Sequence, residues 1–145
     1  MSAPIIVAII AAIATIAGGA ITFLLTKAKE REATWRSQKL GHYKAFMAAL
    51  NAIVGPPAST EERVRFADAA NNIFLVGSRE VLIALRAFLD ETADSNPDRD
   101  TARHDRLLTA LVVAIRRDIG INGANLPEGY LIHLWAGKHH VPPPS

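Results

Sequence analysis

The sequence predicts an all-α protein: an N-terminal transmembrane helix followed by a small cytosolic helical bundle of about four helices. Three observations predict it. Residues 5–25, IIVAIIAAIATIAGGAITFLL, form a long apolar run without a charge. Apolar residues then recur at three- and four-residue steps in successive segments, the spacing of one helix face. Gly-Pro-Pro, Gly-Ser and an Asn-Pro loop separate those segments where helices stop.

As a helix, the 21 residues of the run span about 31 Å, the thickness of a bilayer's hydrocarbon core. Eleven of them are Ile, Val, Leu or Phe, which favours insertion by about 5 kcal/mol before the modest costs of two Gly and two Thr. A cleaved signal peptide has a basic leader and an apolar core of about 7–15 residues. Here Met1-Ser2-Ala3-Pro4 carries no side-chain charge and the run is longer. A buried helix in a soluble protein needs apolar cover on all sides, more than the rest of this chain supplies. The domain reading is therefore residues 1–26 as span and short outer N-terminus, 27–121 as bundle, and 122–145 as a short amphipathic element with a disordered tail.

Charge sets the expected orientation. Between residues 27 and 44 stand Lys27, Lys29, Arg31, Arg36, Lys39 and Lys44 against Glu30 and Glu32. Lys and Arg flanking a span stay on the cytoplasmic side, which puts the N-terminus outside. The formal net charge of the chain is +2, and this segment's surplus accounts for it. The rest is slightly acidic, which excludes a nucleic-acid-binding composition. The basic run suits anionic lipid headgroups. The absence of Cys accords with a reducing compartment.

Within the span, Ala8, Ala12, Thr15, Gly19 and Thr22 recur in steps of four and three, with Gly18 beside them. Small residues let helix backbones approach closely in lipid, and Thr adds hydrogen-bonding capacity, so these six residues are the candidate helix–helix contact of a homo-oligomer. Small residues are also simply frequent in membrane helices, and no strict GxxxG is present. The helix is predicted to continue through Leu40, Tyr43, Met47, Leu50 and Val54, widened by Phe46 and Ile53, to a stop at Gly55-Pro56-Pro57. Trp35 is expected to pack on the bundle. Gly41 permits a bend or a close approach at a cost of about 1 kcal/mol.

Ser59 and Glu62 have capping-box spacing before a helix over about 60–76, with Phe66, Ala69, Ala70, Ile73 and Val76 inward. Ser78 caps the next helix, whose apolar face is Val81, Leu82, Leu85, Phe88 and Leu89. ADSNPDRD at 93–100 reads as a mobile loop. A helix over about 101–119 turns Leu107, Leu108, Leu111, Val112, Ile115 and Ile119 inward. Asn125-Leu126-Pro127-Glu128 resembles a helix start, and Tyr130, Leu131, Leu134 and Trp135 suit a short amphipathic helix, with an edge strand over YLIHLW as the alternative.

No catalytic signature appears. The chain has neither HExxH nor GxSxG, P-loop or GxGxxG, and its five His lack metal-ligand spacing, so no metal, no cofactor and no enzymatic activity are expected. Arg103, Arg106, Arg116 and Arg117 are the candidate anion-binding residues, able to hold a phosphate-bearing small molecule where their helices converge. The bland reading is a solvated face paired with Glu61, Glu62, Asp105 and Asp118.

The pattern WRSQKLGHYKAF, then NIFLVGSREVLIALRAFLDE and a final helix ending AIRRDIGI, over about residues 30–121, resembles an uncharacterised group of short bacterial and phage-associated single-pass membrane proteins. The resemblance implies only an anchored, helical protein of non-enzymatic appearance; the expected location is the bacterial inner (cytoplasmic) membrane. It carries over no site residue. The expected function is a membrane-anchored, homo-oligomeric interaction or assembly module. Its partners are the lipid bilayer, further copies of itself and a cytosolic protein. The alternative is a ligand-gated effector working through the Arg-rich surface.

Overall fold

The computed structural model describes residues 2–54, 57–121, 123 and 125–134. Among them the chain is all-helical, with four helices and no strand: α1 (Ala3–Ile53), α2 (Thr60–Val76), α3 (Arg79–Thr92) and α4 (Thr101–Asp118). It divides into two compact units, Met1–Gln38 and Lys39–Ser145. The apolar run ends at residue 25, yet the second unit starts only at Lys39. Side chains 27–38 are all exposed, so these charged turns bury nothing. Trp35, expected against the bundle, is 49% exposed.

The first unit is helix alone. No described residue of its 18-residue apolar window is buried. A soluble protein's core helix is covered by its neighbours, and this one is not. By length and composition it is a candidate membrane span, a description that a signal sequence also meets.

The second unit packs the end of α1 with α2, α3 and α4 around one core. Tyr43, Phe46 and Leu50 of α1 meet Ala69, Ala70 and Ile73 of α2, Val81, Leu85 and Phe88 of α3, and Leu108, Leu111, Ala114 and Ile115 of α4. Phe46 is at the centre, fully buried, with its ring 5.5 Å from that of Phe66. The sequence pattern had placed Phe46 at the margin of the stripe and Met47 within it; Met47 is half-buried. On α3 and α4 the buried apolar positions belong to the predicted stripes, with Ala114 added, and Glu91 is buried beside them.

Capping explains where the helices begin. Ser59 Oγ accepts the Glu62 amide at 3.2 Å and Glu62 returns a carboxylate oxygen to the Ser59 amide at 2.7 Å, the predicted reciprocal box. Ser78 accepts from the Val81 amide, and Asp100, which the sequence reading did not single out, caps α4 through the Arg103 amide at 2.8 Å. The α4 end is a Schellman motif: Ile121 N–H donates to Arg116 C=O and Gly120 N–H to Arg117 C=O, both at 3.0 Å, with Gly120 at φ 74°. Gly77 answers a different need. A Cβ there would lie 3.0 Å from Ile73 O and 3.2 Å from Leu82 and Val81 side-chain atoms, so the α2–α3 joint would have to give by a few tenths of an ångström to admit one.

Two expectations are corrected. Residues 125–134 form no helix. Gly129 takes φ 71° directly after the expected first turn, and Tyr130 N–H closes a turn on Pro127 C=O at 3.1 Å. The chain then carries no regular secondary structure, with Ile132 and Leu134 packed on the core and Leu131 and His133 exposed. That period of two matches the strand alternative, but a side chain and not a strand receives its backbone: Ile132 N–H donates to Thr109 Oγ1 of α4 at 2.8 Å. Second, loop 93–100 is tied down. Asn96, Arg99 and Asp100 all hydrogen-bond within it or to the end of α3. The expected stop residues Gly55 and Pro56, Trp135, and the expected tail KHHVPPPS at 138–145 lie outside the described residues.

Candidate functional site

Four features carry the chemistry of this chain. The first is the small-residue face of α1. Ala8, Ala12, Thr15, Gly18, Gly19 and Thr22 are all exposed. Thr15 and Thr22 donate their hydroxyls to Ala11 C=O and Gly18 C=O at 2.9 Å, one turn back. Those oxygens retain acceptor capacity only, so their contribution to a helix contact is shape more than hydrogen bonding. A Cβ at Gly18 or Gly19 meets nothing within 4 Å, leaving that surface open to another helix.

The second is the set of arginines on α4. Arg103 and Arg106 lie near its start and Arg116 and Arg117 in its last turn, about 20 Å apart by helical rise. The helix keeps the two pairs apart, and the partners of Arg103, Arg106 and Arg117 differ. Arg103 Nε is 2.9 Å from Glu91, Arg106 is 3.9 Å from Asp100, and Arg117 hydrogen-bonds Asn125. Arg116 is half-buried.

The third is a pair of buried acids that the sequence reading did not weigh as structural. Glu91, 6% exposed on an apolar helix face, accepts the Asp100 amide at 2.8 Å and pairs with Arg103, which ties the α3–α4 loop around it. Asp118 receives Lys39 Nζ at 3.0 Å on both oxygens and the Tyr43 hydroxyl. Burial, then that hydrogen bond and the charge of Asp118, push the Tyr43 phenol well above its ordinary value. The amide and hydroxyl of Ser59 hold the Glu62 carboxyl below the usual range. Lys39 had been grouped with the headgroup-facing basic run; it serves the bundle instead. Its i, i+4 step to Tyr43 placed it on the buried face, and that signal was available.

The fourth is a pair of clefts, about 370 and 480 Å³, between the end of α1, α2 and the α3–α4 loop. Ile53, Phe66, Thr92 and Arg99 line both. His104 stands at the first with its ring 5.2 Å from Phe88, and its Nδ1 is 3.2 Å from Asp105. His133 Nδ1 also lies 3.0 Å from Asp105 Oδ2, beside the bond from Ile132 N–H to Thr109 that sets the 130–134 segment against α4. Among the described residues, no group of three His, Asp or Glu side chains is placed to hold a metal ion. His139 and His140 lie outside the described residues.

No known protein family, no characterised protein and no solved structure matches the chain.

Proposed function

We propose that the chain is a membrane-anchored, non-enzymatic assembly module, homo-oligomeric through α1, with its helical bundle on the cytoplasmic side of a bacterial inner membrane. One observation carries this reading: no described residue in the apolar window of α1 is buried. Such a surface exposed to water is strongly unfavourable, and lipid together with a second helix satisfies it. The open backbone at Gly18 and Gly19 supports the helix–helix part of the reading. The surplus of Lys and Arg after the run supports the orientation. A cytosolic protein is the further partner proposed for the bundle. The effector reading through Arg103, Arg106, Arg116 and Arg117 has less support, because the four lie at two ends of α4 and Arg103 and Arg106 face acids.

The chain lacks Cys, so single introduced thiols report topology cleanly. In intact cells, Ser2→Cys is expected to react with a membrane-impermeant maleimide, and Ser95→Cys only after lysis. The mature protein is expected to retain residues 5–25 by mass spectrometry. Labelling of Ser95→Cys from outside, or a mature chain lacking the run, contradicts the proposal.

A further inference from the structure

We propose that the joined clefts beside Phe66 bind an amphipathic anion, a carboxylate or phosphate head on a hydrocarbon body, with Arg63 and Arg99 as the head clamp. Three observations converge. The first is shape: two clefts of about 370 and 480 Å³ share the wall formed by Ile53, Phe66 and Thr92, with Leu50 and Phe88 extending it on one side and Leu89 on the other. A concave surface of that size, apolar along one wall and polar along the other, suits a small molecule with an apolar body and a polar head.

The second is the placement of two guanidinium groups from different elements. Arg63 comes from the first turn of α2 and Arg99 from the loop before α4, and both reach one carboxylate, Asp94. Arg63 Nη1 lies 3.1 Å from Asp94 Oδ2, and Arg99 Nη2 lies 3.4 Å from Asp94 Oδ1. Each is steadied through its Nε by a backbone carbonyl, Arg63 on Ala58 at 3.5 Å and Arg99 on Asn96 at 3.3 Å. The two side chains are thus arranged for an anion before any ligand arrives, which lowers the ordering cost of binding.

The third is charge. Two guanidinium groups against one carboxylate leave the rim of the second cleft net positive. Asp94 is the most exposed member, with 77% of its side chain accessible against 60% for Arg63 and 50% for Arg99. An ion pair so exposed stabilises the fold little. Asp94 therefore acts as an internal stand-in for the head of the ligand: a weakly held carboxylate that an incoming one displaces, while the hydrocarbon body enters the groove along Phe66. Arg103 is excluded from this role, since Glu91 already holds it.

The experiment uses the full chain in a zwitterionic detergent and follows thermal unfolding of the bundle by circular dichroism. Octanoate and octyl phosphate are expected to raise the melting temperature, and octyltrimethylammonium, with the same tail and opposite charge, is not. A second arm compares nanodiscs of phosphatidylglycerol with phosphatidylcholine. Stabilisation by the free amphiphiles assigns the site to a soluble ligand, and stabilisation confined to the anionic nanodisc assigns it to a lipid headgroup. Arg63→Gln with Arg99→Gln is expected to abolish either effect. Asp94→Asn is expected to tighten binding roughly fivefold, the yield of removing an exposed competing carboxylate. A purely structural salt bridge predicts only destabilisation by Asp94→Asn. The proposal is overturned by equal stabilisation with the cationic amphiphile, by no stabilisation in either arm, or by unchanged or weaker binding in Asp94→Asn.

Discussion

Lys39 Nζ lies 3.0 Å from both carboxylate oxygens of Asp118, in a pair whose side chains are only 14% and 7% exposed. The two residues join the start of the compact unit to the last turn of α4, and Tyr43 completes the set by donating its hydroxyl to the same carboxylate. A buried charge left without its partner is costly, whereas removing both charges together is often nearly neutral. Asp118→Ala is therefore expected to lower stability by about 3–5 kcal/mol, with the double variant Lys39→Met, Asp118→Leu recovering most of it. Thermal unfolding of the three proteins checks this. Equal loss in the single and double variants contradicts a pair held by charge.

Tyr43 makes stability depend on alkaline pH. Its phenol is raised above the ordinary value, chiefly by burial and then by Asp118, so the folded chain keeps a proton that the unfolded chain releases above about pH 10. The contribution is complete below that pH and declines as pH rises through it. Tyr43→Phe is expected to cost about 1–2 kcal/mol near neutrality and to flatten the fall in melting temperature from about pH 8 to about pH 11. An unchanged alkaline slope in the variant contradicts the assignment.

Glu91 organises the loop between α3 and α4 through Asp100, Asn96 and Arg103. Glu91→Ala removes the acceptor for a half-buried backbone amide and the partner of a guanidinium, so a loss of about 2–4 kcal/mol is expected. Hydrogen exchange supplies the local readout: the Asp100 amide is expected to exchange faster in the variant, with the α1 amides near Phe46 little changed apart from the global loss. Slow exchange at Asp100 in the variant contradicts the role.

Two glycines are expected to respond in opposite directions. A Cβ at Gly41 meets nothing within 4 Å on an exposed helical turn, so Gly41→Ala is expected to stabilise by about 1 kcal/mol through helix propensity alone. The close approach anticipated at that position is absent from the compact unit as described. Gly77→Ala drives a methyl against backbone and is expected to destabilise by about 1–3 kcal/mol. Melting temperatures that move the same way in both variants contradict this contrast.

The helices were legible in the sequence because their signals are local. Ser59 with Glu62, and Ser78, fix helix starts through hydrogen bonds within a few residues, and each is found where its spacing indicated. The pairing of the buried charges was not: the step from Lys39 to Tyr43 marks Lys39 as inward-facing, but nothing within a few residues of Asp118 announces that Lys39 sits across from it. Glu91 was hidden for the same reason, its partners arriving from nine and twelve positions on. Residues 125–134 misled because one apolar set satisfies both helical and extended spacing, and the left-handed turn at Gly129 decides between them. The Arg63–Asp94–Arg99 clamp depends on a loop fold that composition alone portrays as mobile.

The central claim is that the bare face of α1 holds copies of the chain together in the membrane, and native mass spectrometry of the full chain released from detergent tests it most directly. The account predicts a single discrete oligomer that Gly19→Leu and Thr15→Leu both shift to smaller species, because a large side chain separates helix backbones that small residues let meet. A monomer at all protein concentrations, or an oligomer indifferent to both substitutions, would contradict it.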